Sequence, residues 1–199
     1  MLVVVLDKMK TISKEEFLEE KEFYLNEIRS GKVFIYPTDT IYGIGCIGAH
    51  SNSIEKIREI KQRSGKPFSI IVPSKDWIEE NCELREDKKE QLSKLPGKFT
   101  FIIKLKNKNI VAKESLIRDF EAIGVRIPDN WFAEFIGEND LTFVTTSVNV
   151  SGEPSLLKKE DLKKEIEKKV DYFIDCGPLE NSSSTVIDLT KDDEEILRG

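Results

Sequence analysis

Short apolar segments, each about as long as one β-strand, recur along the whole chain. They are MLVVVL at 1–6, KVFIYP at 32–37, FSIIVPS at 68–74, KFTFIIKL at 98–105, AIGVRIP at 122–128, LTFVTTSV at 141–148, DYFIDC at 171–176, STVIDLT at 184–190 and EEILRG at 194–199. Segments with the apolar spacing of helices lie between several of them, as is typical of layered α/β domains. Near the end of the chain, strand-like segments follow one another directly, which argues against a purely parallel sheet. We therefore predict one α/β domain over residues 1–199, a twisted mixed sheet with flanking helices, in which EEILRG forms an edge strand.

Two longer segments have the spacing of amphipathic helices. Residues 13–29 begin with Ser13 as an N-cap, and Glu16, three residues later, completes a capping box. Residues 51–63 place three isoleucines on one face, Ile54, Ile57 and Ile60. Shorter helices are predicted at 77–80, 86–95, 131–137 and 158–169.

Composition and missing motifs exclude several functional classes. A net charge of −6 argues against a protein that mainly coats nucleic acid. The three widely spaced cysteines fit no zinc or disulfide pattern and favour a reducing cytoplasm, and the apolar start is too short to span a membrane. The chain has a single histidine, His50, and no GxxxxGK[ST] or GxGxxG motif, which disfavours a histidine-based site, P-loop hydrolysis and dinucleotide redox chemistry.

The stretch YPTDTIYGIGC at 36–46 joins a predicted strand to hydroxyl side chains, a carboxylate and glycines. Such a loop suits a polar, phosphorylated ligand. Farther along, Lys61, Arg63 and Lys66 cluster around the end of a predicted helix. Cations at a helix end are commonly explained by the helix dipole alone, but three of them opposite a hydroxyl-rich loop suit a triphosphate.

Two further stretches have both a structural and a functional interpretation. In TTSVNVSGEPS at 145–155, Ser147 and Asn149 point the same way if the strand continues; the segment is either a turn or a ligand site at a strand end. Arg126, between two apolar residues, lies either on an exposed face or against an anionic group. The hydroxyl run before the last long strand, Ser182 to Thr185, is most simply a polar loop.

These motifs, in this order, resemble the YrdC-like threonylcarbamoyl-AMP synthase family. The matching elements are PTDTIYGIG, KQR, PGKFT, GVRIP, TSVNVSG, STVIDL and ILRG. They extend from about Val33 to Gly199, nearly the whole chain. The resemblance implies the compact form of the family, without a C-terminal extension, and a YrdC-like α/β fold around a large cavity lined by basic residues.

The resemblance also implies an enzyme, a nucleotidyltransferase. It would condense L-threonine, bicarbonate or carbon dioxide, and ATP with magnesium into threonylcarbamoyl-adenylate, releasing pyrophosphate. A partner transferase would then pass the threonylcarbamoyl group to tRNA in the cytoplasm. Weak binding of tRNA or duplex RNA is part of the same expectation.

Residue by residue, the resemblance assigns two ligand pockets. Thr40 and Arg126 would hold the threonine, Arg126 by its carboxylate. Lys61 and Arg63 would act on the phosphates in catalysis. The other nucleotide-binding residues would be Lys66, Ser147, Asn149, Ser155 and Arg198, and the threonine side would be completed by Thr145 and Ser184. No protein metal ligand is implied.

Three alternatives remain open from the sequence. KFTFII and STVIDLT also resemble the YciO branch, which would be a nucleotide- or RNA-binding protein lacking this activity. A non-catalytic RNA-binding module is disfavoured by the acidic total charge. A carbamoyl-handling relative, as in hydrogenase maturation, is weakened because acylphosphatase-like and zinc-finger segments are missing.

Overall fold

A computed structural model of the chain describes residues 9–62, 65–106, 111–117, 120–192 and 195–198. The strands are β1 (Lys10–Ser13), β2 (Phe34–Tyr36), β3 (Gly43–Gly45), β4 (Ser69–Ile71), β5 (Phe99–Lys104), β6 (Ala122–Arg126), β7 (Phe143–Ser147), β8 (Tyr172–Asp175), β9 (Thr185–Asp188) and β10 (Glu195–Arg198). The helices are α1 (Lys14–Glu19), α2 (Lys21–Arg29), α3 (Ser51–Lys61), α4 (Lys75–Asn81), α5 (Lys113–Leu116), α6 (Trp131–Glu138) and α7 (Lys164–Glu167), with 3₁₀ turns at Glu86–Lys94 and Lys159–Asp161.

All the described strands join one sheet in the order β1-β8-β2-β3-β7-β4-β6-β5-β9-β10. The pairs β1–β8, β2–β8, β4–β6 and β5–β9 are parallel, and the other neighbours are antiparallel. The prediction of a mixed sheet is therefore confirmed, as is the edge position of the last strand. The apolar start at 1–6 lies outside the described residues.

Alternation along the strands divides the core between the two faces of the sheet. On one face, Phe34, Tyr36 and Phe143 pack with an aromatic cluster from α1, α2 and α6. On the other face, Ile35, Val144 and the remaining alternate residues pack against α3 and its neighbours. The first face is covered by helices over only part of the sheet, and the cavity described below lies on its uncovered part. Within the described residues, no helix has the length and apolarity needed to cross a bilayer.

Several predicted helices differ in detail from those observed. The capping box at Ser13 is confirmed, since the Glu16 amide donates to Ser13 Oγ at 3.1 Å and the Ser13 amide donates to the Glu16 carboxylate at 2.6 Å. The helix that it starts is interrupted at Glu20 and resumes as α2. The segment at 86–95 is a 3₁₀ rather than an α-helix, and the predicted helix at 158–169 is replaced by a 3₁₀ turn and the short helix α7.

The glycines of YGIGC serve the packing of the sheet. The sequence pattern indicates one continuous loop here, whereas Gly43 to Gly45 form β3, between β2 and β7. A Cβ on Gly45 would collide with the Val144 carbonyl oxygen, and one on Gly43 would lie 2.9 Å from the Tyr36 ring. The strand was missed because glycine has a low strand propensity, whereas here close approach of neighbouring strands requires it.

Candidate functional site

A cavity of about 630 Å³ lies on the sheet face shared by β5, β6, β7 and β9. Alternate residues of β5 and β6 line it, while the residues between them belong to the core on the opposite face. The floor consists of Thr100, Ile102, Lys104, Ala122, Gly124 and Arg126. The rim comes from the loop at 38–43, the loop before β4 and the end strand β10. The period-two pattern of the strands thus places polar side chains on one face without breaking the core behind them.

The charged residues on the cavity wall are mainly basic. Within the described part of the chain, the cations are Lys66, Lys104, Arg126 and Arg198, and the carboxylates are Glu121 and Asp188. Lys104 Nζ is already paired with the Glu121 carboxylate at 2.6 Å. A cavity of this size and charge suits a polyanionic ligand of the dimensions of a nucleotide.

Arg126 is the most constrained charge of the site. Its side chain is 8% exposed and that of Asp39 is 6% exposed, and Arg126 Nη2 donates to Asp39 Oδ1 at 2.7 Å. Asp39 Oδ2 in turn accepts from the Asp129 amide at 3.1 Å. Burial lowers the pKa of the Arg126 guanidinium, and the Asp39 carboxylate opposes that shift. Because a guanidinium does not deprotonate in proteins, Arg126 is a permanent cation on the cavity wall.

One donor of Arg126 remains unmatched. Among the described residues, Arg126 Nε is buried and has no hydrogen-bond partner. A buried donor without a partner costs about 1–3 kcal/mol. A ligand carboxylate that accepted a hydrogen bond from this edge of the guanidinium would remove that cost, so the geometry of Arg126 suits an anionic ligand.

The hydroxyl of Thr40 faces the same region. Thr38 Oγ1 donates its proton to the Ile41 carbonyl at 2.7 Å, so it accepts in its 2.8 Å contact with Thr40 Oγ1. Thr40 Oγ1 is therefore the donor in that contact, and its lone pairs are left for a ligand. Both hydroxyls line the cavity, and the Thr40 side chain is buried. This geometry suits an N–H donor of the ligand.

A second cluster of hydroxyls lies near β10. Thr100 Oγ1 and Ser184 Oγ are 2.8 Å apart and both residues are buried. Arg198 donates through Nε to the Ser184 carbonyl at 3.0 Å and through Nη2 to Ser184 Oγ at 3.2 Å. Burial lowers the pKa of Arg198. The end strand thereby brings a second guanidinium to the side of the cavity where Arg126 lies.

Lys61 supports the loop after β7 from behind the cavity wall. Its side chain is buried, and Nζ lies 2.5 Å from Ser147 O, 3.1 Å from Asn149 O and 2.6 Å from Asn149 Oδ1. With Ser147 Oγ at 3.4 Å, four acceptors of this loop surround the three protons of the ammonium group. Asn149 Oδ1 also accepts from Ser147 Oγ at 2.7 Å. Lys61 therefore does not sit on a solvated helix end, as cations there often do.

The structure brings most of the predicted site residues together. Those that line the cavity are Thr40, Lys66, Arg126, Thr145, Ser147, Ser184 and Arg198. Lys61 and Asn149 adjoin it through Ser147, and Ser155 does not line it. Arg63 lies outside the described residues. Their roles remain predictions.

Several residues of the site had no distinct signal in the sequence. Asp39 is one polar residue among many in its loop, and Thr100 resembles an ordinary polar position of a half-buried strand. Asp188 follows apolar residues near a strand end, where a turn explains it equally well. His50 caps α3 through its backbone, and the described residues contain no group of three histidine, cysteine or acidic side chains suited to a metal.

Tyr42, on the cavity wall, ties the loop to the end of β8. Its hydroxyl donates to the Gly177 carbonyl at 2.8 Å and accepts from the Cys176 amide at 2.9 Å. Tyr42→Phe leaves both groups without that partner, so we expect its free energy of unfolding at pH 7 to fall by about 1–3 kcal/mol in urea titrations. Tyr24→Phe, which removes a hydroxyl bonded to the exposed Lys10 ammonium, should cost less than about 1 kcal/mol.

The same substitution has a defined pH dependence. Burial raises the pKa of Tyr42 to about 12 from its ordinary value of 10.0. The unfolded chain therefore loses this proton first as the pH rises, and the contribution of Tyr42 to stability declines between those two values. The difference between the wild type and Tyr42→Phe should narrow over that range, and a constant difference would contradict the assignment.

Comparison with known proteins gives a consistent result. The family model Sua5_yciO_yrdC, described as "Telomere recombination", matches residues 26–199. A protein of Methanocaldococcus jannaschii named "Putative threonylcarbamoyl-AMP synthase" is 37% identical over 193 residues, 95% of this chain and 89% of that protein. "Uncharacterized protein YciO" of Escherichia coli K12 is 32% identical over 182 residues, 86% of this chain and 84% of that protein.

Solved structures show the same relationship. E. coli YciO superposes with a TM-score of 0.83 at 26% identity, covering 96% of this chain and 95% of that chain. Pyrococcus abyssi Sua5 "complexed with L-threonine" superposes with a TM-score of 0.82 at 26% identity, covering 96% of this chain and 56% of that chain. This chain thus spans little more than half the length of P. abyssi Sua5.

Proposed function

The chain belongs to the Sua5/YciO/YrdC family, and on that premise we propose that it is a threonylcarbamoyl-AMP synthase. The reaction would condense L-threonine, bicarbonate or carbon dioxide, and MgATP into threonylcarbamoyl-adenylate and pyrophosphate. The observation that carries the proposal is the buried Arg126 with an unmatched donor, in one cavity with Lys66 and Arg198. A carboxylate site and a phosphate site next to each other are what this pair of substrates requires.

Threonine would bind at the Arg126 end of the cavity. Its carboxylate would accept from Arg126 Nε, the donor that lacks a partner among the described residues. Its nitrogen would donate to Thr40 Oγ1, whose own proton is directed to Thr38. P. abyssi Sua5, whose structure holds L-threonine, supports this choice of amino acid.

The chemistry needs positioning and charge neutralisation more than a general base. The threonine amine adds to carbon dioxide and loses a proton to give a carbamate, which is already an anionic nucleophile. A carbamate oxygen then bonds to the α-phosphorus as the bond from that phosphorus to pyrophosphate breaks. The charge that develops on the phosphates would be stabilised by Lys66 and Arg198 on the cavity wall, and by Arg63, for which the sequence predicts the same role.

Magnesium enters this proposal as part of the substrate. Phosphate and water oxygens are the ligands that Mg²⁺ prefers at nucleotide sites. We also infer a cytoplasmic tRNA-modification role, in which the adenylate is handed to a transferase that acts on tRNA, with weak tRNA contact at most. The name of the M. jannaschii relative supports the first step of that sequence.

The test is pyrophosphate release by the purified chain with MgATP and bicarbonate, with L-threonine present or omitted. Release that requires threonine, together with threonylcarbamoyl-adenylate detected by mass, is the expected result. Serine in place of threonine serves as a matched control for the side-chain methyl. If MgATP binds but no threonine-dependent release occurs, the synthase assignment is wrong and a YciO-like function without this activity replaces it.

A further inference from the structure

Asp188 places a buried carboxylate on the cavity wall, at a distance from Arg126. The residue is 8% exposed and lies at the end of β9. Its Oδ1 accepts from the Thr190 amide at 2.9 Å and from Thr190 Oγ1 at 2.6 Å. Within the described part of the chain, Oδ2 accepts no such bond. One oxygen is therefore fixed by the turn, and the orientation of the other is fixed with it.

The strand register gives the distance of Asp188 from the anion-binding arginine. Asp188 is paired with Ile102, and Ile102 is paired with Gly124, two residues before Arg126 on the same face. Two strand spacings of about 4.8 Å and two residues of about 3.3 Å each give a separation of roughly 12 Å between the Cα atoms of Asp188 and Arg126.

The product of the proposed reaction has a matching length, and this step rests on the proposed function. From the threonine carboxylate carbon to the ribose 3′-oxygen, the backbone of threonylcarbamoyl-adenylate contains ten bonds. At about 1.5 Å per bond and tetrahedral angles, that path extends to roughly 12 Å. A carboxylate held on Arg126 therefore places the ribose near Asp188.

The surroundings of Asp188 fit the nucleoside rather than the phosphates. Ile102 and Val186 form an apolar surface next to it, and Phe120 is 47% exposed on the same wall, as a surface for stacking a base requires. Of the two carboxylates on the described cavity wall, Glu121 is bonded to Lys104 at 2.6 Å. Asp188 is the buried one and forms no salt bridge within the described residues; such a carboxylate repels phosphate but accepts well from a hydroxyl.

We propose that Asp188 Oδ2 accepts a hydrogen bond from a ribose hydroxyl of the nucleotide and thereby selects ribonucleotides over deoxyribonucleotides. Carboxylates bind ribose hydroxyls in the same way in dinucleotide-binding folds. Asp188 thus acts as a specificity-determining residue, while the phosphates and the threonine are bound elsewhere in the cavity.

The experiment compares MgATP with its 2′-deoxy and 3′-deoxy analogues, by calorimetric binding and by threonine-dependent pyrophosphate release. The wild type should prefer ATP over one of the analogues by about 10- to 100-fold, as expected for a hydrogen bond to a charged group. Asp188→Asn keeps an oxygen for Thr190 but loses the charge, and should reduce the preference to a few-fold. Asp188→Ala should reduce it to nearly one.

Two controls separate this role from a structural one. Asp175 makes a comparable turn, since its Oδ1 accepts from the Gly177 amide at 3.0 Å, but it does not line the cavity. Asp175→Asn and Glu121→Gln should both leave the ratio of ATP to deoxy-ATP unchanged. Melting temperatures of all variants show which of them remain folded.

The outcomes distinguish the two levels of inference. Binding of ATP without preference in the wild type, or a preference that survives in a folded Asp188→Ala protein, overturns the role of Asp188 and leaves the proposed function intact. Failure of the wild type to bind any of the three nucleotides overturns both. A preference that declines from wild type to Asp188→Asn to Asp188→Ala supports the proposal.

Discussion

Arg126→Lys is expected to lower kcat/KM for L-threonine by about 10²–10³-fold. The residue is buried, its Nη2 is engaged by Asp39 and its Nε has no partner in the described structure. Lysine keeps the charge but lacks the planar fork, so it can satisfy Asp39 or the substrate carboxylate and not both with good geometry. The measurement is pyrophosphate release as a function of threonine concentration.

The effect should be confined to threonine. Calorimetric affinity for MgATP should change by less than about threefold, because the phosphates are assigned to other cations. Arg85→Lys is the matched control: Arg85 also pairs with carboxylates, Asp87 and Asp192, but its side chain is 49% exposed. An unchanged dependence on threonine in a folded Arg126→Lys protein would contradict the carboxylate assignment.

Arg126 also shows how much of the site could be predicted from sequence. An arginine between apolar strand residues either faces solvent or contacts an anion. The alternation of side chains along a strand shows which residues share a face, but it does not show whether that face is exposed. The decision comes from the loop after β2, whose Asp39 carboxylate lies over that face of the sheet and accepts from Arg126 at 2.7 Å. The strand itself was predictable, because β-branched residues alternate along this segment at Ile123, Val125 and Ile127.

Long-range pairing explains most of what the sequence did not reveal. Thr100 and Ser184 are 84 positions apart and meet only because β5 and β9 are parallel neighbours. Local features were easier to predict from the sequence. The capping box at Ser13 depends on residues three positions apart, and it is confirmed. Interactions within one turn of the chain can be predicted from pattern, whereas those that depend on strand order cannot.

Lys61 is the clearest case in which position in the sequence suggested the wrong surroundings. At the last turn of an amphipathic helix, a lysine is commonly exposed and stabilised by the dipole. Here it is 2% exposed, because the loop after β7 folds over the end of α3 and supplies its hydrogen-bond acceptors. Nothing in the sequence around Lys61 encodes that loop.

Lys61→Met is expected to lower the free energy of unfolding by about 2–4 kcal/mol and kcat/KM for ATP by about 10²-fold. The substitution keeps the length of the side chain but leaves Ser147 O, Asn149 O and Asn149 Oδ1 without the ammonium. Urea titration and pyrophosphate release measure the two effects. Lys56→Met, in the same helix, removes a lysine that pairs with Asp171 at the surface. It should lower the free energy of unfolding by less than about 1 kcal/mol and leave kcat/KM for ATP unchanged.

A double-mutant cycle with Asn149→Ala then decides how Lys61 acts on the nucleotide. If Lys61 works by holding the loop, either substitution already displaces Ser147, and the loss of ATP affinity in the double variant should be about that of the larger single one. If the ammonium instead binds a phosphate directly, its contribution is independent of Asn149 and the two losses should add. The geometry favours the first result, because the three protons of Nζ are matched by acceptors of the loop, which places the ammonium behind Ser147 rather than in the cavity.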